Sequence, residues 1–241
     1  DLYQDLEAVV GQPNLTRKKE DLLCYAYDAT GTIYLPDAVI FPESEKQVAR
    51  IMTISARHQC PVIPRGAGTG MTGGAVAVNG GLILSFRRMN RILDLDEKNL
   101  TITVEPGVVV ARIHEQAAGR GLFYPVDPAS SAVCTIGGNI GECAGGPRAV
   151  KYGVTRDYVL GLRAVLPSGQ IIETGVRTAK GVAGYDLTRL IVGSEGTLAV
   201  VTQIRLRLIP KAEFVRTLAV FFDTTMQAAA TVSAVLTLGI V

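Results

Sequence analysis

Apolar positions recur with helical period across residues 43–59, where Val48, Ile51, Met52 and Ser55 share one face. Acidic residues crowd the first turn of that segment, the end at which a helix dipole favours them. Short apolar runs at 38–41 and 62–64 flank it and read as strands. Residues 75–85 read as two short β-like runs around Asn79-Gly80-Gly81. A hairpin is expected from 91–95 and 100–105 around Asp96-Glu-Lys-Asn99. A helix follows at 107–118, stopped by Gly119 or Gly121. Residues 160–166 and 170–174 form a second hairpin around Pro167-Ser-Gly169, which carries turn chemistry. A short helix at 184–192 and a long strand at 197–208 complete the pattern. The alternation predicts an α+β fold, with a small α/β portion first and an antiparallel sheet after it.

Beyond residue 210 the pattern changes. Residues 215–222 read as a strand and 224–238 as a helix opened by Asp223 or Thr224. Gly239-Ile-Val241 then reads as the start of another strand. A βα unit begun and not closed cannot bury its apolar face. The expectation is that the natural polypeptide continues, and that Phe221, Phe222, Val232, Val235 and Leu236 lie partly in water.

Composition narrows the classes. Nearly half of the 241 residues are apolar, so a sizeable core can be buried in one large or two modest domains. The net charge of +2 carries no basic tract, which gives nucleic-acid binding no support. No apolar run approaches the roughly 20 residues of a membrane span, and Asp1-Leu-Tyr-Gln does not read as a signal peptide. Cys24, Cys60, Cys134 and Cys143 have no C-x-x-C spacing and only His58 and His114 beside them. No metal site is therefore expected. Four reduced thiols fit a cytoplasmic protein.

The 26 glycines lie mostly in clusters. In Pro61-Val-Ile-Pro-Arg65-Gly66-Ala-Gly68-Thr69-Gly70-Met-Thr72-Gly73-Gly74 an apolar strand runs straight into a glycine-rich loop. Glycine admits positive φ, and successive free N–H groups in such a turn cradle an anion, most often a phosphate. Gly68-x-Gly70-x-x-Gly73 satisfies a Rossmann fingerprint, but no helix opens after it. A P-loop reading fails for want of Gly-Lys-Ser/Thr. A loop that cradles a pyrophosphate without a helix dipole, and a tight turn in an all-β segment, are the other readings. Two further clusters suit the same ligand. One is the stretch from Asp127 to Gly146, with hydroxyls at Ser130, Ser131 and Thr135 among glycines. The other is Gly193-Ser-Glu-Gly-Thr197, which alone reads as an ordinary turn. A ligand with a pyrophosphate, a ribityl chain and a broad flat ring would use all three.

Pro64-Arg-Gly-Ala-Gly-Thr-Gly70, Asp127-Pro-Ala-Ser-Ser131, Thr135-Ile-Gly-Gly-Asn139, Ala144-Gly-Gly146, Lys151-Tyr-Gly153 and Gly193-Ser-Glu-Gly-Thr-Leu198 occur in a telling order. In that order the chain resembles FAD-linked oxidases of the vanillyl-alcohol oxidase type, with a PCMH-type FAD-binding domain. The likeness is strongest to the flavin subunit of glycolate oxidase and to D-lactate dehydrogenases, and over residues 38–210.

The resemblance implies an FAD-binding domain over 1–210, with subparts of about 1–90 and 91–210, and the beginning of an α+β cap domain over 211–241. FAD would lie between the subparts. Arg65, Gly66, Ala67, Gly68, Thr69 and Gly70 would hold the pyrophosphate by their amides, with Pro64, Thr72 and Gly73 as further cofactor-binding residues. Ser130, Thr135, Gly138 and Gly145 would line the ribityl and phosphate path, with Asp127, Ser131, Gly137, Asn139 and Gly141 as further cofactor-binding residues. Glu195, Gly196 and Val201 would contact the adenine or flavin end. Thr69 occupies the place where some relatives attach FAD through a histidine, so non-covalent FAD is implied. The implied chemistry is oxidation of a D-2-hydroxy acid, of the glycolate or D-lactate class, to the 2-oxo acid by hydride transfer to flavin N5. No catalytic base is assigned. An iron–sulfur or electron-transfer partner subunit is among the implied partners. The alternative is a non-catalytic flavin-binding or electron-transfer subunit. Arg65, Arg148 and Lys151 are the cations considered for an anion contact, although exposed Arg and Lys are usually solvated.

Overall fold

The computed structural model describes residues 1–176, 178, 181 and 183–239. Helix α1 (Leu2–Val10) leads through strand β1 (Leu15–Thr16) and helix α2 (Lys19–Leu23) to strand β2 (Ala38–Ile40). Helix α3 (Glu45–Arg57) follows, then β3 (Val62–Arg65) and β4 (Leu82–Ser85). The first sheet has the order β1-β2-β4-β3, with β2, β4 and β3 parallel and β1 antiparallel. All four residues of β4 are buried, the burial expected of a parallel strand covered on both faces. On one face Leu6, Val10, Val48 and Ile51 pack on Ala38, Ile40, Leu82 and Leu84; on the other lie Leu22, Val39, Ala77 and Ile83.

Ser44 caps α3, its hydroxyl accepting from the Gln47 amide at 3.3 Å, and the helical period of the sequence becomes the buried stripe Val48, Ile51, Ser55. Of the two β-like runs expected at 75–85, only the second is a strand, β4, and residues 75–78 contribute no more than a bridge from Val78 to Gly80. With β2 on one edge and β3 on the other, β4 has no edge left for a hairpin partner.

The second sheet begins with the hairpin β5 (Ile92–Asp96) and β6 (Thr101–Val104). Helix α4 (Val110–Ala118), short β7 (Leu122–Phe123), α5 (Ile136–Glu142) and α6 (Ala149–Tyr152) follow. The hairpin β8 (Val159–Val165) and β9 (Ile171–Gly175), helix α7 (Leu187–Ile191) and strand β10 (Val200–Arg207) complete it, in the antiparallel order β5-β6-β10-β8-β9. Val200, Thr202, Ile204 and Leu206 alternate inward along β10. The core of this part gathers Ile102, Val104, Leu162 and Ile204 of the sheet under Val110, Ile113, Ile136 and Ile140 of α4 and α5.

Val165 and Val200 of the second sheet join the core beneath α3. Arg163 reaches across and grips Glu45 with two hydrogen bonds of 3.0 and 2.6 Å, and Thr202 Oγ1 donates to the same carboxylate at 2.8 Å. Burial opposes the charge on Glu45, but these donors outweigh it and hold the carboxyl below its usual range.

Strand β11 (Ile209–Pro210) pairs with β7 and ends the ordered sheets. The strand expected at 215–222 does not form: that stretch is exposed and, among the described residues, pairs with no other strand. Helix α8 (Thr225–Thr237) forms as expected, capped by Thr224, whose hydroxyl accepts from the Gln227 amide at 3.2 Å. None of its residues is buried; Phe221, Phe222, Val232 and Leu236 are exposed. Residues 240 and 241, the rest of the strand start expected there, lie outside the described residues. Among the described residues no helix is long and apolar enough to cross a membrane.

Candidate functional site

The three glycine clusters converge on one cavity of about 220 Å³ between the two sheets. A Cβ on Gly66 would meet the Thr135 hydroxyl and lie 3.4 Å from both Cα and N of Gly138, so the first two clusters touch backbone to side chain. The third is tied to α5 by two amides: Gly193 donates to the Ile140 carbonyl at 2.9 Å and Glu195 to that of Gly141 at 3.0 Å. A Cβ on Gly196 would press on the Pro64 ring at 3.1 Å, which closes the circuit back to β3.

Helix α5 forms although three of its seven residues are glycine. Burial of Ile136, Asn139 and Ile140 overrides the weak propensity. Gly137 is required there, since a Cβ would fall 2.7 Å from that of Pro106. The first amides of α5 are already spent: Ile136 donates to the Val108 carbonyl at 2.9 Å and Gly137 to that of Pro106 at 2.8 Å. This helix end therefore offers no free donors. The glycine loop after β3 does. Among the described residues, the amides of Ala67, Gly68, Thr69 and Gly70 donate no hydrogen bond, and all four residues line the cavity. Gly68 sits at φ +72°. Unspent backbone donors around such a turn fit an anion of pyrophosphate size.

Arg65 explains the shape of that loop. It is only 5 % exposed, and its guanidinium donates to the Ala75 carbonyl at 2.8 Å and to the Tyr27 carbonyl at 2.6 Å. The loop folds around this side chain, with Gly68 against the guanidinium. Burial pulls the Arg65 pKa down, opposed by the charge of Asp28. The three cations considered for an anion contact are thus otherwise engaged. Arg148 pairs with Asp127 at 3.2 Å, Lys151 lies over the Tyr152 ring at 5.6 Å, and neither lines the cavity.

Pro64 to Gly70, Ser130, Thr135, Gly137, Gly138, Asn139, Gly141, Glu195, Gly196 and Val201 all line the cavity. Five other expected contacts do not. Thr72 stands beside it, hydrogen-bonded to Glu142 and Glu195. Gly73 is a turn residue at φ +81° with open space around it. Asp127 accepts from the Arg148 amide, Ser131 accepts from the Ala111 amide, and Gly145 packs against Val154. Phe86, Pro106, Cys134, Ile140, Glu142 and Ala199 line the cavity without having been singled out in the sequence. Of these only Glu142, an acid set between Gly141 and Cys143 in a glycine-rich run, carried a local signal. Neither histidine lines the cavity: His58 lies 3.2 Å from Asp5, and His114 is bonded to the Val126 carbonyl at 2.9 Å.

An α+β frame with free loop amides, flanked by apolar walls, defines a dinucleotide-binding protein. The chain belongs to the FAD binding domain family, whose profile matches residues 36–175, and FAD is its cofactor. It is 50% identical over 234 residues to the glycolate oxidase subunit GlcD of Bacillus subtilis, covering 97% of this chain and 50% of that protein. It is 39% identical over 197 residues to a D-lactate dehydrogenase of Anaerostipes hadrus, covering 82% and 41%. A D-2-hydroxyglutarate dehydrogenase of Stutzerimonas stutzeri is 38% identical over 208 residues, covering 86% and 45%. The chain spans about half the length of the curated relatives it matches. Among solved structures, an alkyldihydroxyacetonephosphate synthase superposes with a TM-score of 0.86 at 23% identity, covering 100% of this chain and 50% of that one. A substrate-bound p-cresol methylhydroxylase gives 0.83 at 21%, covering 97% and 48%. The fold is that of PCMH-type FAD domains.

Proposed function

We propose that the whole protein oxidises a D-2-hydroxy acid of the glycolate or D-lactate class to the 2-oxo acid. The observation that carries this reading is the convergence of three glycine clusters on one cavity, in a chain 50% identical to a glycolate oxidase subunit. When bound, FAD supplies the hydride acceptor for the hydrogen on substrate C2. The residues of this chain bind and orient. The amides of Ala67 to Gly70 hold the pyrophosphate, Thr135 and Gly138 stand beside the phosphate path, and Pro64, Gly196 and Val201 flank the far end. Residues 1–210 act as the FAD domain, in two subparts meeting near residue 90. Residues 211–241, with their unburied helix, begin a cap that supplies the substrate contacts and the base. Attachment is non-covalent, supported by Thr69 in the loop and by both histidines being bonded elsewhere. A cytoplasmic location goes with this reading, supported by four free cysteines. An electron-transfer partner, such as an iron–sulfur subunit, would reoxidise the flavin.

The test uses the intact protein. It is expected to carry a flavin absorption spectrum, to release all flavin into the supernatant on acid precipitation, and to reduce an artificial dye with glycolate or D-lactate. A protein that reduces the dye with L-lactate alone, or that never takes up flavin, refutes the proposal.

A further inference from the structure

The glycine loop is fastened to the opposite wall of the cavity by a three-residue clasp. Thr72 Oγ1 lies 3.0 Å from Glu142 Oε1 and 2.9 Å from Glu195 Oε2, and it accepts the Gly74 amide at 3.3 Å. Both carboxyls press on glycines of the loop: a Cβ on Gly70 would fall 2.6 Å from Glu142 Oε1, and one on Gly74 would fall 2.9 Å from Glu195 Oε2. The clasp thus joins the loop after β3, the last residue of α5, and the 193–197 turn.

Its hydrogen count does not close with two ionised carboxylates. A hydroxyl has one hydrogen to give and two lone pairs. The Gly74 amide occupies one lone pair. One carboxylate takes the hydrogen, and the other meets the remaining lone pair favourably only if it brings a hydrogen of its own. We infer that Glu142 is a positioning residue for the dinucleotide, and that it holds this extra proton and so keeps the loop closed over the FAD site. The inference rests on the FAD site proposed above. The surroundings select Glu142 as the protonated partner. Burial raises its pKa, the charges of Glu195 and Asp28 add to the rise, and the Thr72 hydrogen bond opposes it. Among the described residues, no cation pairs with Glu142. Arg156 turns to the Val192 carbonyl at 2.8 Å, and β10 offers Ala199 and Val201.

A dinucleotide brings two more negative charges into this cavity. Its binding and the protonation of Glu142 must then reinforce each other, each by the same factor. FAD binding to the intact protein is expected to take up protons, seen by calorimetry in two buffers of different ionisation heat. The FAD Kd should rise with pH above the Glu142 pKa, by up to about tenfold per pH unit for one linked proton. In Glu142→Gln the carboxamide still donates to Thr72 but cannot ionise. That variant should bind FAD without proton uptake and with a Kd flat across about pH 5 to 9. A wild-type Kd that is flat over this range, or a pH dependence that survives in Glu142→Gln, overturns the inference and leaves the FAD reading standing. Loss of FAD by Glu142→Gln alone also overturns it, because the site would then need the ionised carboxylate. Failure of both proteins to bind FAD overturns the cofactor reading and this inference with it.

Discussion

Replacing Gly68 by alanine tests the proposed pyrophosphate loop at its tightest point. Gly68 sits at φ +72°, where a residue with a Cβ is strained by about 1–2 kcal/mol. The new methyl would lie 2.6 Å from Arg65 Cζ, so the guanidinium must leave the carbonyls of Ala75 and Tyr27. Hydrogen bonds to a charged group are worth about 1.5–3 kcal/mol each. A loop that kept its shape would therefore carry roughly 4–8 kcal/mol of added cost. Relaxing a surface loop costs less, so the loop changes shape and the two cores stay folded. Displacing even one amide from the pyrophosphate costs about 1.5–3 kcal/mol, a loss of roughly 10- to 150-fold in FAD affinity. The assay is titration of cofactor-free protein with FAD, followed by flavin fluorescence, beside a thermal melt of the cofactor-free form. Gly73→Ala is the control. It has nearly the same φ, +81°, but open space around it and no part in the cavity lining. Its Kd should stay within about threefold of wild type. Gly68→Ala with unchanged affinity, or Gly73→Ala with an equal loss, would refute the reasoning.

Two further outcomes concern the frame that holds the site. The folded-state pKa of Glu45 is lowered, so its contribution is present above the ordinary carboxylate pKa and is lost as pH falls through the folded value. Glu45→Gln should cost about 1 kcal/mol at neutral pH, allowing for the water around Arg163, and the deficit should close on acidification; urea melts at several pH values would show otherwise if the deficit grew in acid. Ile51, fully buried between α3 and the first sheet, should cost about 2–5 kcal/mol as Ile51→Ala, and a loss under about 1 kcal/mol by urea denaturation would contradict the packing described.

Much of the frame was legible along the chain because its causes are local. Helix α3 announces itself by its period and by the acidic residues of its first turn. The hairpins at 92–104 and 159–175 announce themselves by turn residues that tolerate reversal. The glycine clusters are compositional, and their order carried the family. Other features depend on residues far apart in sequence. Strand β10 lies between β6 and β8, pairing Arg207 with Thr101, and no local pattern states which edge a strand will find. Helix α5 runs through three glycines because two isoleucines and an asparagine are buried there once the sheet exists. The run at 215–222 has strand composition but no paired partner among the described residues, so it lies exposed without forming a strand. Arg65 reads in sequence as a free cation beside a phosphate loop, yet the fold turns it inward as the post around which the loop is built. Glu142 and Glu195 are 53 positions apart, and only the closing of α5 onto the 193–197 turn puts both carboxyls on one threonine hydroxyl. Local conformation follows from each residue and its near neighbours. Pairing, burial and shared protons follow from which surfaces meet after the chain has closed its long loops, and that is decided in three dimensions.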